Sequence, residues 1–149
     1  MIAFEEARRL VLAAAGIIEA ERIPVNAAMG RILAEDVFSP EHLPSFDNTA
    51  MDGFAVATGG QQVPQGTELV VSAALAAGEA APAGCEDACE IMTGAPMPEG
   101  LDAVIPVEQI EVLERDADKL PKRIRLLQAL APGANVRLRG QDISAGDRI

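Results

Sequence analysis

Apolar residues recur at helical spacing at the start of the chain: in "AFEEARRLVLAAAG", Phe4, Ala7, Leu10, Val11 and Ala14 share one face. Glu5 and Glu6 fall in the first turn and Gly16 supplies a stop, so the pattern predicts one amino-terminal amphipathic helix. The next stretch, "ERIPVNAAMGRILAEDVFSP", breaks its apolar runs with Pro24, Asn26, Gly30 and Pro40. It predicts two short strands about a turn, or a single helical turn, with Ile32, Leu33, Val37 and Phe38 pairing in a sheet. Beyond residue 58, Gly or Pro cuts the chain every few residues, and apolar runs such as "ELVVSAAL" and "DAVIPVEQIEV" are short, which predicts β-rich structure with tight turns. "AAGEAAPAGCEDACE", interrupted by Gly78, Pro82 and Gly84, reads as a loop with one short turn. The final third reads as a charged hairpin region, a strand at "KRIRLLQAL", a turn at "APGAN" and a strand at "VRLRG". No internal repeat separates the parts, so a second lobe must be inserted into the first or share its strands.

Composition narrows the picture. A chain of 149 residues suffices for one core, or for two small lobes sharing a connection. With four Phe and no Trp or Tyr, Ala, Val, Leu and Ile must fill a thin core. No apolar run approaches the roughly 20 residues of a membrane span. Glu5, Glu6, Arg8 and Arg9 stand where a signal peptide would be apolar, so a cytoplasmic location is expected. Cys85 and Cys89, four apart with no histidine nearby, are too few for a zinc site and read as reduced thiols. His42, the only histidine, has no Ser or Cys partner in an evident nucleophile setting and reads as a surface residue.

Charge is unevenly placed within a net of -11: no Lys or Arg occurs from Ile32 to Glu114, and eight of the twelve basic residues lie from Arg115 onward. Nucleic-acid binding, which needs clustered cations against phosphates, is disfavoured. An anionic ligand would need the basic last third, a divalent metal, or a partner's cations.

Three stretches carry candidate chemistry. In "LPSFDNTAMDGFAV", Pro44 fixes an extended lead-in, Asp47 or Asn48 caps a turn, and Gly53 allows a positive φ. Turn formation accounts less well for Asp52, a carboxylate at the boundary of an apolar run, which is either exposed at a strand start or paired in a pocket; taken alone, the stretch still favours a purely structural role. In "IMTGAPMPEGLDAVIP", Thr93 and Gly94 can offer side-chain and backbone donors to an oxyanion, although turn chemistry alone also produces such a sequence. Neither of the familiar Gly-rich phosphate loops occurs. In "NVRLRGQDISAGD", Arg137 and Arg139 would project from one face if both lay on a strand, a natural clamp for phosphate, though a solvated strand face is the commoner explanation of alternating Arg. Asp142 follows after Gly140, within reach of a turn.

Taken in order, with "GRILAEDVFSP" upstream, these motifs closely resemble the amino-terminal region of the molybdopterin molybdenumtransferase family, known as MoeA in bacteria and the gephyrin E domain in animals. The resemblance covers nearly the whole chain. It implies a mainly β fold of the β-rich α+β type, with bifurcated, coiled sheets: an amino-terminal helix over 1–20, a small β lobe from 21–42 and 138–149, and an inserted β-rich lobe over 43–137. It implies a homodimeric enzyme that inserts molybdate into adenylylated molybdopterin with magnesium and releases AMP, in a cleft shared between subunits. Carried onto this sequence, Asp52, Thr93 and Asp142 are the catalytic candidates and Asp52 and Asp142 the magnesium ligands, as hard oxygen donors. Asn48, Gly94, Arg137 and Arg139 are the candidates for holding the pterin substrate and its anionic charge. Gln141 stands where many relatives carry Glu.

Family members continue into an α/β lobe that binds the pterin and a small β barrel. The expectation is therefore a piece of a longer enzyme, incomplete by itself, whose helix packs on the further lobe and here leaves an apolar face exposed. The competing readings are a non-catalytic β-rich dimerisation or scaffold module and, further off, an acidic metal-binding module.

Overall fold

The computed structural model describes residues 2–82 and 84–149 and divides the chain into two compact units, one ending at Val37 and one spanning Phe38–Ile149. In the first, helix α1 runs Phe4–Ala14, with Glu5 and Glu6 in its first turn, where the helix dipole favours anions. None of its residues is buried, and Phe4, Leu10 and Val11 are exposed. Of the alternatives for the next stretch, the single helical turn forms, as a 3-10 turn at Val25–Ala27. The expected sheet pairing of Ile32, Leu33 and Val37 does not form. A strand requires a second edge to take its N–H and C=O groups, and only Phe38 finds one, in a bridge to Arg148.

The second unit holds all the strands among the described residues: β1 (Asn48–Thr49), β2 (Gly53–Val56), β3 (Glu68–Leu75), β4 (Ala88–Ile91), β5 (Ala103–Pro106), β6 (Ile110–Arg115), β7 (Pro121–Leu126) and β8 (Val136–Arg137). Six of them form a sheet in the order β5-β2-β4-β3-β7-β6, while β1 and β8 pair separately as a short ribbon. The strand "GFAV" and the edge strand "AVIP" are both buried at every position, because both faces of the sheet are covered there and alternation therefore gives no polar side. Phe54, Val56, Ile105, Ile124 and Leu126 pack on one face; Ala55, Cys89, Ile91, Val104 and Leu101 pack on the other. Each large side chain so buried contributes about 1.5–3 kcal/mol.

Strands β3 and β4 run parallel, which requires a crossover of about a dozen residues. Residues 76–87 supply it. Their described part holds no helix or strand, and Ala83 lies outside the described residues. The last three residues expected in that loop, Ala88, Cys89 and Glu90, instead open β4, held by pairing to β2 on one side and β3 on the other. The shift of register between Val71 and Ala73 is a bulge at Ser72, whose hydroxyl donates to Ala88 O at 3.1 Å.

At the far end of the sheet, Glu68, Glu111 and Arg125 face one another across β3, β7 and β6. Arg125 bonds both carboxylates, at 2.7 Å to Glu68 and 2.9 Å to Glu111. The guanidinium beside Glu68 holds its carboxyl below the usual range. The architecture is mainly β, curled sheets with one α-helix among the described residues, as the sequence predicts.

Candidate functional site

The short ribbon organises all three motifs. Pairing of Asn48 with Arg137 and Thr49 with Val136 joins the first motif to the third. Asn48 also bridges to Pro96, and Thr49 N donates to Ala95 O at 3.2 Å, joining the first to the second. Thr49 is buried, and its hydroxyl donates to Met51 O at 2.7 Å, curling the chain so that Asp52 emerges at the start of β2.

Asp52 Oδ1 accepts two hydrogen bonds from Thr93, from the hydroxyl at 2.6 Å and from the backbone N–H at 2.7 Å. The hydroxyl bond first, and the amide bond after it, hold the Asp52 carboxyl below the ordinary aspartate range. Among the described residues, no donor is paired with Oδ2. Met51 and Met92, the chain neighbours of the pair, are exposed, as is Val107, whose N donates to Asp52 O at 3.1 Å.

Gly53 is extended, contrary to the positive φ expected of it. It is glycine because a Cβ there would lie 2.0 Å from Ile105 O, so the close approach of β5 excludes any side chain.

The "TGAP" turn, exposed at Thr93 and Gly94 and buried at Ala95, commits its amides to the protein. Gly94 takes a φ of +82°. Its N–H donates to Thr49 O at 3.0 Å, and Ala95 N donates to Met92 O at 2.9 Å. With Thr93 N on Asp52, the consecutive amides of this turn all meet protein acceptors. The Asn48 side chain likewise turns to its own backbone, donating to Phe46 O at 3.3 Å.

In the third motif β8 ends at Arg137, so Arg139 lies in the following turn and strand alternation does not align the two guanidinium groups. Arg137 is ion-paired with Asp142. Among the described residues, the exposed Arg139 guanidinium has no protein acceptor. Because β1 and β8 are antiparallel, the chain after β8 returns beside the residues before β1: Asp142 N donates to Leu43 O at 3.0 Å. Asp52 follows β1, at the opposite end of the ribbon. Within one chain Asp52 therefore meets Thr93, and Asp142 meets Arg137. Among the described residues, no three His, Cys, Asp or Glu side chains gather as a metal cluster.

Two side-chain contacts escape sequence reading. His42, expected at the surface, is half-buried, and its Nδ1 accepts from Ala145 N at 3.3 Å. Asp102 accepts from Thr58, from the amide at 2.7 Å and from the hydroxyl at 2.6 Å. Burial pushes the Asp102 carboxyl up, but the Thr58 bonds, together with the Asp102 and Gly60 amides, outweigh it and the result is lowered. Partners 44 and 103 positions apart leave no local signal. Cys85 and Cys89 are free thiols, both buried, and burial pushes Cys89 up to about 12.

The fold and ribbon define a mainly β protein in which a two-stranded ribbon joins three motifs. A profile described as the MoeA N-terminal region (domain I and II) matches residues 2–149, and the chain belongs to that family. It is 39% identical to a molybdopterin molybdenumtransferase of Haemophilus influenzae over 138 residues, covering 88% of this chain and 31% of that protein. It is 36% identical over 132 residues to molybdopterin molybdenumtransferase 2 of Mycobacterium tuberculosis, covering 85% of this chain and 31% of that one. The crystal structure of a molybdopterin biosynthesis MoeA protein from Pyrococcus horikoshii OT3 superposes with a TM-score of 0.81 at 30% identity, over all of this chain and 39% of the other. The chain thus spans about a third of the length of the curated relatives it matches. Among the described residues no helix is long and apolar enough to cross a membrane.

Proposed function

We propose that this chain serves as the amino-terminal, dimer-forming and cleft-contributing part of a cytoplasmic molybdenum insertase in molybdenum cofactor biosynthesis. Such an enzyme cleaves adenylylated molybdopterin, releases AMP and places molybdenum from molybdate on the dithiolene. The observation that carries the reading is the grip of Thr93 on Asp52 across 41 residues, which fuses two of the family's motifs into one exposed, anionic corner.

In this reading Thr93 orients the Asp52 carboxylate through Oδ1 and leaves Oδ2 for a cation. Magnesium ordinarily takes one or two carboxylates and fills its remaining positions with water and substrate phosphate, so one carboxylate at this corner fits it. The magnesium supplies charge neutralisation of the phosphate being cleaved. Asp142, drawn to Arg137, acts at the other end of the ribbon, where Arg139 presents an unengaged cation to an anionic substrate. A homodimer, in which a second subunit supplies the facing wall, brings the two ends of the ribbon to separate clefts. Further lobes of the parent enzyme cover the apolar face of α1.

The test is a chimera in which this chain replaces the matching region of the Haemophilus influenzae relative, assayed for AMP release from adenylylated molybdopterin with magnesium and molybdate. Turnover by a dimeric chimera, lost in Asp52→Asn, is the expected result. A folded, dimeric chimera that turns over equally well with and without Asp52→Asn would leave only the scaffold reading.

A further inference from the structure

Segment 139–145 is held to the chain just ahead of the first motif by side chains as well as backbone. Leu43 N donates to Ile143 O at 2.8 Å, Ile143 N returns a bond to Leu43 O at 3.1 Å, and Gly140 N donates to Pro44 O at 2.9 Å. Two side-chain acceptors close the ends. Asp47 Oδ1 takes the Arg139 N–H at 2.6 Å, and His42 Nδ1 takes the Ala145 N–H at 3.3 Å. The imidazole also lies under Gly140, where a Cβ would come 2.8 Å from Nδ1 and where φ is +72°. That corner is glycine for both reasons. Between the two clamps sits Asp142, ion-paired with Arg137.

We propose that Asp47 and His42 are positioning residues: their acceptor atoms set the 139–145 segment and, with it, the orientation of the Arg137–Asp142 pair. The operative property of Asp47 is the acceptor and not the charge. The inference rests on the insertase reading and extends it to two side chains that reading leaves without a role. It also explains why a second aspartate stands five residues before Asp52 without entering the Thr93 corner.

Asparagine separates acceptor from charge. Its Oδ1 replaces an Asp oxygen and can stand near the position of a His Nδ1, whereas alanine offers nothing. Amide hydrogen exchange on this chain and AMP release by the chimera are measured for Asp47→Ala, Asp47→Asn, His42→Ala and His42→Asn. Exchange in β2 and β5 serves as the folding control.

The alanine changes are expected to speed exchange at Arg139 and Ala145 respectively by about tenfold, the effect of losing one modest hydrogen bond, and to lower turnover. The asparagine changes are expected to restore both to within about threefold, since at position 47 a neutral acceptor is weaker than a charged one and at position 42 the amide oxygen only approximates the place of Nδ1. Equal loss of turnover in Asp47→Asn and Asp47→Ala with exchange unchanged would assign Asp47 a charge role and overturn the proposal. So would unchanged exchange in both alanine variants. A native chimera without turnover would defeat the insertase reading, and the exchange measurements would then decide the brace by themselves.

Discussion

Gly53 and Asp102 show how single side chains are fixed by neighbours remote in sequence. A Cβ at Gly53 would meet backbone, the Ile105 carbonyl at 2.0 Å, and backbone in a fully buried, paired strand yields little. Gly53→Ala should therefore destabilise by about 3 kcal/mol, the upper end of overpacking, read as a lower urea midpoint by circular dichroism. Asp102 satisfies the amide and hydroxyl of buried Thr58, so Asp102→Ala should cost about 1–3 kcal/mol at neutral pH through the donors left unpaired. The sign of its pH dependence follows from the lowered carboxyl. The folded state binds the proton more weakly than the unfolded chain. The contribution is thus complete above the ordinary aspartate value of about 4 and is lost as pH falls through the lowered one. Urea midpoints measured downward from pH 5 should fall less steeply in Asp102→Asn than in the native chain.

Among the elements, β4 and the outer strands differ in what holds them. Strand β4 lies between β2 and β3, and Ile91 on it is fully buried. Ile91→Ala should cost about 2–5 kcal/mol by transfer and cavity terms, seen as a matching drop in unfolding free energy. The outer strands are tied by the exposed ladder of Glu68, Arg125 and Glu111, which salt screens. Glu68→Gln should lower the thermal midpoint in dilute buffer, and the gap from the native chain should close in molar salt. Strands β3, β6 and β7 were legible from "ELVVSAAL", "QIEV" and "KRIRLLQAL", whose local patterns agree with their final state. Ala88–Glu90 was not legible, because a small-residue run has no pattern of its own until two neighbours pair with it.

For the whole molecule, the exposed apolar residues of the first unit set the behaviour. Phe4, Val11, Ile17, Ile18, Val25, Met29 and Ile32 are all open to solvent, on a chain carrying a net charge of -11. Like-charge repulsion opposes association in dilute buffer, and salt shortens its range from about 10 Å at 0.1 M to about 3 Å at 1 M. Light scattering should therefore show self-association that grows with protein concentration and with salt, reduced in a Phe4→Ser, Val11→Ser double variant. A mass independent of both would oppose this account.

The sequence by itself determined the opening helix, the β-rich class, the strands with strong local patterns and the three motifs with their family. These rest on periodicity, punctuation and residue order, which are properties of neighbours along the chain. Tertiary structure alone decided that Asp52 meets Thr93 while Asp142 turns away to Arg137, that Gly53 is held extended, and that the "TGAP" amides are taken by protein acceptors. It also left Ile32, Leu33 and Val37 without the sheet expected for them. Each of these outcomes depends on which strand edge arrives beside a residue, and a strand edge is supplied by chain dozens of positions away, under a register that no local pattern encodes.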